Sequence, residues 1–300
     1  MIHFQRIDLT RKEDYLRLLR PRLDRGCAYS LANLILWGRQ RVAFLDNYLV
    51  IFSQFGKSSI YPFPTGTGDV KPVLDAIICD AKERGIVCRI TGLSAEDCML
   101  LEELYPGKLR FYPDRDGCDY VYKIEDLAEL KGRKYQKKRN HVNRFWQNHP
   151  NCKAEILTAE NLPLAQKMLD SWFAQQDAAD DYHLEQLALQ RAFDHLEELD
   201  FEGMLLTQNG QAIAFTLGSP LSDTVFDIHF EKALDGFDGS YAAINQAFAR
   251  YLWEKYPHLE HLNREDDMGL PGLRKAKLSY QPDHLIVKFW ARLWEDEDED

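Results

Sequence analysis

The sequence predicts a mixed α/β protein built from two halves in which the same kinds of element follow one another in the same order. Three observations carry that expectation: short runs rich in β-branched and aromatic residues, two glycine loops that each open a helix, and an Asn209-Gly210 hairpin signal. Each half reads as hairpin strands, glycine loop, helix, strand, helix, strand, a duplicated order of elements at low internal sequence similarity. Three hundred residues with 45% hydrophobic content suffice for two cores of ordinary size.

In the first half, apolar residues at helical spacing place helices at 12–19 and 30–37. Strands follow at 41–45, 48–54 and 58–62, with Phe55-Gly56 as the turn between the last two. The loop Thr65-Gly66-Thr67-Gly68-Asp69 opens a helix reaching Arg84, with Val73, Ile77 and Ile78 on one face and Asp69 as its cap. A strand at 87–91, a helix at 94–104 and strands at 109–112 and 120–124 complete the half. The second half offers a strand at 153–157, helices at 163–175 and 185–199, and strands at 203–207, 212–217 and 225–231. The loop 235–240 then leads into a helix at 241–255, a strand at 258–263, a short helix at 272–278 and a strand at 285–290. The expected organisation is a domain at 1–130, a basic connecting helix at 131–150, a domain at 151–294 and an acidic tail at 295–300.

The net charge is −11, yet no acidic residue occurs between Glu129 and Glu155. A basic island in an acidic chain points either to an anionic partner or to internal ion pairing. On a helix, Arg133, Lys137, His141 and Arg144 share one face, and Tyr135, Val142 and Trp146 share another. As an RNA-contacting element the segment would use Lys134, Lys137, Lys138, Arg139 and Arg144 on phosphates; as a brace, its cations would pair with carboxylates. The six cysteines lack a CxxC pair, which supports neither zinc nor disulfides, and no metal site is expected. Apolar runs too short for a bilayer and an amino-terminus without a signal peptide lead to the expectation of a cytoplasmic protein with no integral membrane segment. P-loop, HExxH and GxSxG motifs are absent.

Three stretches, GRKYQKKRNHVNRFW, FDIHFEKALDGFDGSYAAINQAFA and NREDDMGLPGLRKAKLSYQP, resemble soluble relatives of the C-terminal domain of bacterial phosphatidylglycerol lysyltransferases. The resemblance extends over nearly the whole chain. It implies two tandem domains of the GNAT acyltransferase fold and acyl or aminoacyl transfer, with aminoacyl-tRNA or acyl-CoA as donor and a small-molecule or lipid-like acceptor; DNA is not an expected partner.

Within that frame the alternation of the 225–231 strand puts Asp227, His229 and Glu231 on one face, as candidates to take a proton from an acceptor amine, Asp227 first. Gly236, Gly239 and Ser240 form the counterpart of a phosphate-cradling loop, although Asp235 and Asp238 beside it repel phosphate. Asn263, Arg264, Arg274 and Lys275 follow the 258–263 strand and are candidates to clamp an anionic group. The competing expectation is a solvated or salt-bridged face on a non-catalytic binding or regulatory protein, a reading supported by the acidic residues of the second glycine loop.

Overall fold

The computed structural model describes residues 1–55, 58–175 and 180–293. Its internal contacts divide the chain into two compact units, residues 1–119 with the segment from Ile286 onward, and Tyr120–Leu285.

In the first unit, α1 (Lys12–Leu19) and α2 (Leu31–Leu36) precede the antiparallel strands β1 (Gln40–Leu45), β2 (Tyr48–Phe55) and β3 (Ser58–Pro62). The first glycine loop begins as a two-residue strand, β4 (Thr65–Gly66), on the edge of β2. Gly66 is required there because an added Cβ would sit 2.1 Å from the Asn47 carbonyl oxygen. Asp69 Oδ1 accepts the Lys71 N–H at 3.0 Å, so its carboxylate serves the start of α3 (Lys71–Arg84). β5 (Arg89–Leu93) and α4 (Ala95–Leu104) follow, and α4 opens on a Ser94/Asp97 capping box whose Asp97 also pairs with the buried Arg22 at 2.6 Å. Pro113 and Gly117 suggest a break between two strands, but the chain runs through them as one fifteen-residue strand, β6 (Leu109–Lys123). The turn expected at Phe55-Gly56 and the tail at 295–300 fall at or beyond the limits of the described residues.

β6 carries the chain into the second unit. There, α5 (Ile124–Glu129), α6 (Gln136–Asn148), β7 (Lys153–Ile156), α7 (Leu162–Ala174) and α8 (Asp180–Asp194) lead to the meander β8 (Glu202–Gln208), β9 (Gln211–Pro220) and β10 (Val225–Ala233). The chain continues through α9 (Ser240–Lys255), β11 (His261–Asn263) and α10 (Pro271–Leu278). Strand order in this unit is β7-β8-β9-β10-β11-β6, antiparallel except for β10 beside β11. One sheet face packs on α5 and α9, where Phe226, Ile228, Phe248, Leu252, Tyr122 and Leu127 form the core. Lys232 on the opposite face reaches Glu185 of α8 at 2.8 Å and lies 4.1 Å from the Trp172 ring of α7.

The basic segment expected as a connection at 131–150 is internal to this unit: Tyr135, Val142 and Phe145 are buried, and α6 packs against α9. The unit boundaries do not follow the sequence halves, because β12 (His284–Leu293) leaves the second unit and pairs antiparallel with β5 of the first. Ala291 of β12 is thus part of the first unit's core with Val50, Ile77, Ile90 and Leu101.

Candidate functional site

The chemistry of β10 turns on a bulge. Opposite β9, Ile228 pairs with Gly218 and Phe230 with Leu217, which leaves His229 as the extra residue. Two residues facing one shift the side-chain parity of everything beyond them. Asp227 and His229 therefore point to the face opposite α9, while Glu231 is turned to the α9 face, where its Oε2 accepts from Asn245 Nδ2 of α9 at 3.1 Å. Simple alternation places the three together; the bulge separates them into two clusters.

The first cluster is closed. His229 Nδ1 lies 2.9 Å from Glu265 Oε1, to which its N–H donates, and Nε2 lies 2.8 Å from Ser219 Oγ. The His229 and Asp227 side chains are 1% and 0% exposed, and Asp227 Oδ2 is 3.8 Å from Nδ1. None of these residues lines the cavity described next, so Asp227, the first candidate for a base, is enclosed in the fold.

The second cluster borders open space. Arg264, at the end of β11, is nearly buried; its Nη2 contacts Glu231 Oε1 at 2.9 Å, and its guanidinium lies 4.7 Å from the Tyr280 ring centre and 5.6 Å from that of Tyr122. Lys138 Nζ of α6 sits 3.6 Å from the centre of the same Tyr280 ring. Beside them is a cavity of about 900 Å³, lined by Lys137, Lys138 and His141 of α6, Tyr241 of α9, and Tyr280 and Gln281 after α10. Burial, reinforced by the Arg264 cation and opposed by Glu231, lowers the Lys138 ammonium to about 8. Among lysines this is a group poised to exchange protons near neutral pH.

The basic segment divides in two. Lys131 pairs with Glu129, Lys134 with Asp126 at 2.9 Å, and Arg139 donates to the Leu130 and Gly132 carbonyls, which together brace the start of α6. Lys137, His141 and Arg144 are exposed and have no ion-pair partner among the described residues. Brace and anion-binding face are thus both present, on different side chains.

The second glycine loop is built for packing at one end. Gly239, at φ +91°, caps α9, and a Cβ there would come within 2.7 Å of the His141 carbonyl oxygen and 3.2 Å of Phe145 Cβ. Its lack of a side chain lets α6 lie against the start of α9, and the next residue, Ser240, is buried. Gly236, at φ +86°, has open space around it.

The four residues proposed as an anion clamp separate likewise. Asn263 is buried and accepts the Glu265 N–H at 2.7 Å. Arg274 is bidentate to Asp267, both contacts at 2.8 Å, and Tyr120 also donates to that carboxylate; these contacts, Arg274 first, hold the Asp267 carboxyl well below the usual carboxylate range. Lys275 is exposed away from these contacts, and the buried Lys277 donates to the Arg264 and Asp266 carbonyls. Of the clamp candidates only Arg264 adjoins the cavity residues. Tyr280, Tyr122, Tyr241 and Asn245 are not among the sequence candidates; Tyr241 and Asn245 lie within the second stretch and Tyr280 within the third, whereas Tyr122 carries no local signal.

The family pattern described as phosphatidylglycerol lysyltransferase, C-terminal, matches residues 20–292. A curated relative, the uncharacterised protein MYCGA3080 of Mycoplasmoides gallisepticum, is 27% identical over 182 residues, 58% of this chain and 56% of that protein, so the match spans about half the relative's length. A conserved protein of unknown function from Bacteroides thetaiotaomicron is 35% identical, with 98% and 100% of the two chains covered and a TM-score of 0.86. The C-terminal domain of a lysylphosphatidylglycerol synthetase from Agrobacterium fabrum aligns over 95% of this chain and 93% of its own at 18% identity and a TM-score of 0.65. A tandem GNAT protein from the clavulanic acid pathway aligns over 99% of this chain and all of its own at 7% identity and a TM-score of 0.52, a likeness of fold alone. Among the described residues no helix is long and apolar enough to cross a membrane.

Proposed function

Because the chain belongs to the family of the phosphatidylglycerol lysyltransferase C-terminal domain, we propose that it transfers an acyl or aminoacyl group in the cavity between α6, α9 and Tyr280. The observation that carries the reading is Lys138, a lysine lowered to about 8 on the wall of a cavity whose outer rim holds Lys137 and His141. Lys137 and the His141 ring at the rim hold the phosphates of the donor, and the cavity holds its ester or thioester carbonyl. The favoured donor is a charged tRNA. Exposed cations continue along α6 to Arg144, whereas Asp235 and Asp238 flank the start of α9, where a coenzyme A pyrophosphate would need to lie.

In the reaction the acceptor amine or hydroxyl attacks the donor carbonyl, and Lys138 in its neutral form takes the acceptor's proton. The carbon–oxygen bond to the tRNA then breaks, and the departing 3′ oxygen leaves with that proton. Positioning of both reactants against Tyr280 and Tyr241 contributes the rest of the rate.

The test has two parts. Charged tRNA is expected to shift on a native gel, with binding weakened by salt and abolished when Lys137, His141 and Arg144 are changed to Glu. Stabilisation by acyl-CoA with no tRNA shift transfers the reading to the coenzyme A donor; silence with both overturns it. With a donor in hand, turnover is expected to rise with pH through about 8, because Lys138 is active only after losing its proton. Lys138→Met is expected to flatten that profile and lower turnover by about 10²–10⁴-fold.

A further inference from the structure

On another part of the second unit, three side chains converge that the transfer reaction does not use. β11 begins at His261, whose N–H is fixed to the Thr224 carbonyl at 3.0 Å and whose backbone is in register with Lys123 of β6. Asp283 is fixed to the same strand by its N–H to the Val121 carbonyl at 2.9 Å, and His284 follows it as the first residue of β12. Both imidazoles aim at one carboxylate oxygen: His284 Nδ1 lies 3.0 Å and His261 Nε2 3.5 Å from Asp283 Oδ2. The rings stand 5.6 Å apart at 74°.

Those separations are informative. A zinc-class ion bound at about 2.0–2.2 Å from each of its ligands sets neighbouring donors roughly 3–3.5 Å apart. Both measured edges fall in that interval. His261 Nε2 is shielded from water and has no hydrogen-bond partner among the described residues, and 3.5 Å to the carboxylate is too long for a good one. A buried imidazole nitrogen left this way, facing a carboxylate and a second imidazole, points to a missing third party. Lys123 Nζ approaches Asp283 at 3.5 Å through the other oxygen, Oδ1, and leaves Oδ2 to the histidines.

We propose that His261, Asp283 and His284 form a binding site for a divalent cation of the zinc class, clasping the start of β11 to the start of β12. Two imidazoles and one carboxylate suit Zn²⁺, Co²⁺ or Ni²⁺ and disfavour Mg²⁺ and Ca²⁺, which require mainly oxygen ligands. The remaining coordination positions go to water. His261 and Asp283 are separated by twenty-one intervening residues, those numbered 262–282, so no spacing motif announces the site in the sequence.

Calorimetric titration of chelator-treated, dialysed protein with ZnCl₂ is the test, with the visible ligand-field absorption of CoCl₂ as a second readout of the donor set. One saturable equivalent is expected, with a rise in the thermal midpoint. His261→Ala, Asp283→Asn and His284→Ala are each expected to weaken uptake by about 10–100-fold or more. His284 is half exposed, so its replacement leaves the fold intact and isolates the metal effect. Absence of saturable uptake, or uptake unchanged in His284→Ala because cysteines or other carboxylates hold the ion, overturns the proposal.

Discussion

Glu231→Ala is expected to destabilise the protein by about 3–5 kcal/mol in chemical denaturation, one of the largest losses available from a polar residue in this chain. The reason lies in what is left behind. Glu231 and Arg264 are 12% and 11% exposed, and the guanidinium is otherwise surrounded by the Tyr122 and Tyr280 rings. Without the carboxylate a nearly dehydrated cation has no counter-charge, and Asn245 loses the acceptor for its Nδ2. The double variant Glu231→Leu with Arg264→Leu is expected to recover most of the loss, since replacing both partners removes the stranded charge together with the pair. A double variant as unstable as the single one contradicts this account.

The same pair adjusts the proton affinity of Lys138, which burial lowers first. Glu231 raises it and Arg264 lowers it. Loss of Glu231 moves the midpoint of the pH–turnover curve below about 8, and Arg264→Leu moves it upward. Opposite displacements in the two single variants are what a cavity base predicts. Equal displacements, or none, place the titrating group elsewhere.

What the sequence made legible was local. The Asn209-Gly210 turn has both residues at positive φ, 51° and 77°, and pairs Gln208 with Gln211 as a two-residue hairpin does. The helix after the second glycine loop and the buried Tyr135 and Val142 of the basic segment follow from periodicity in the same way. What periodicity misses is the single inserted residue of a bulge. Nothing in the run from Val225 to Glu231 signals that His229 is unmatched, and one residue suffices to send Glu231 to the opposite face from Asp227. The cavity was illegible for a different reason. Lys138, Arg264 and Tyr280 come from α6, the end of β11 and the end of α10, and only the closed tertiary structure brings them to one ring. The return of β12 to pair with β5 is likewise a long-range pairing, which is why unit boundaries at Asp119 and Leu285 replace a division at the basic segment.

The bulge also locates the second large effect, at a glycine that sequence reading passed over. Gly218→Ala is expected to destabilise by about 3 kcal/mol, at the upper end of what overpacking costs. Gly218 lies opposite Ile228 beside the bulge, and a Cβ there would stand 2.2 Å from the Asp227 carbonyl oxygen and 2.6 Å from Phe226 Cε1. The first neighbour is backbone of a central strand. It yields only by moving β10 away from β9, and that movement disturbs the contact of Ser219 with His229 and the turn of Glu231 toward Arg264. Gly236→Ala is the informative contrast. Gly236 needs its positive φ of 86° but has no atom within 4 Å of an added Cβ, so the substitution is expected to cost only about 1–2 kcal/mol of backbone strain. Denaturant midpoints ranking Gly218→Ala well below Gly236→Ala support close strand approach as the controlling factor. The reverse ranking makes backbone conformation, not the tight strand contact beside the bulge, the factor that governs this unit.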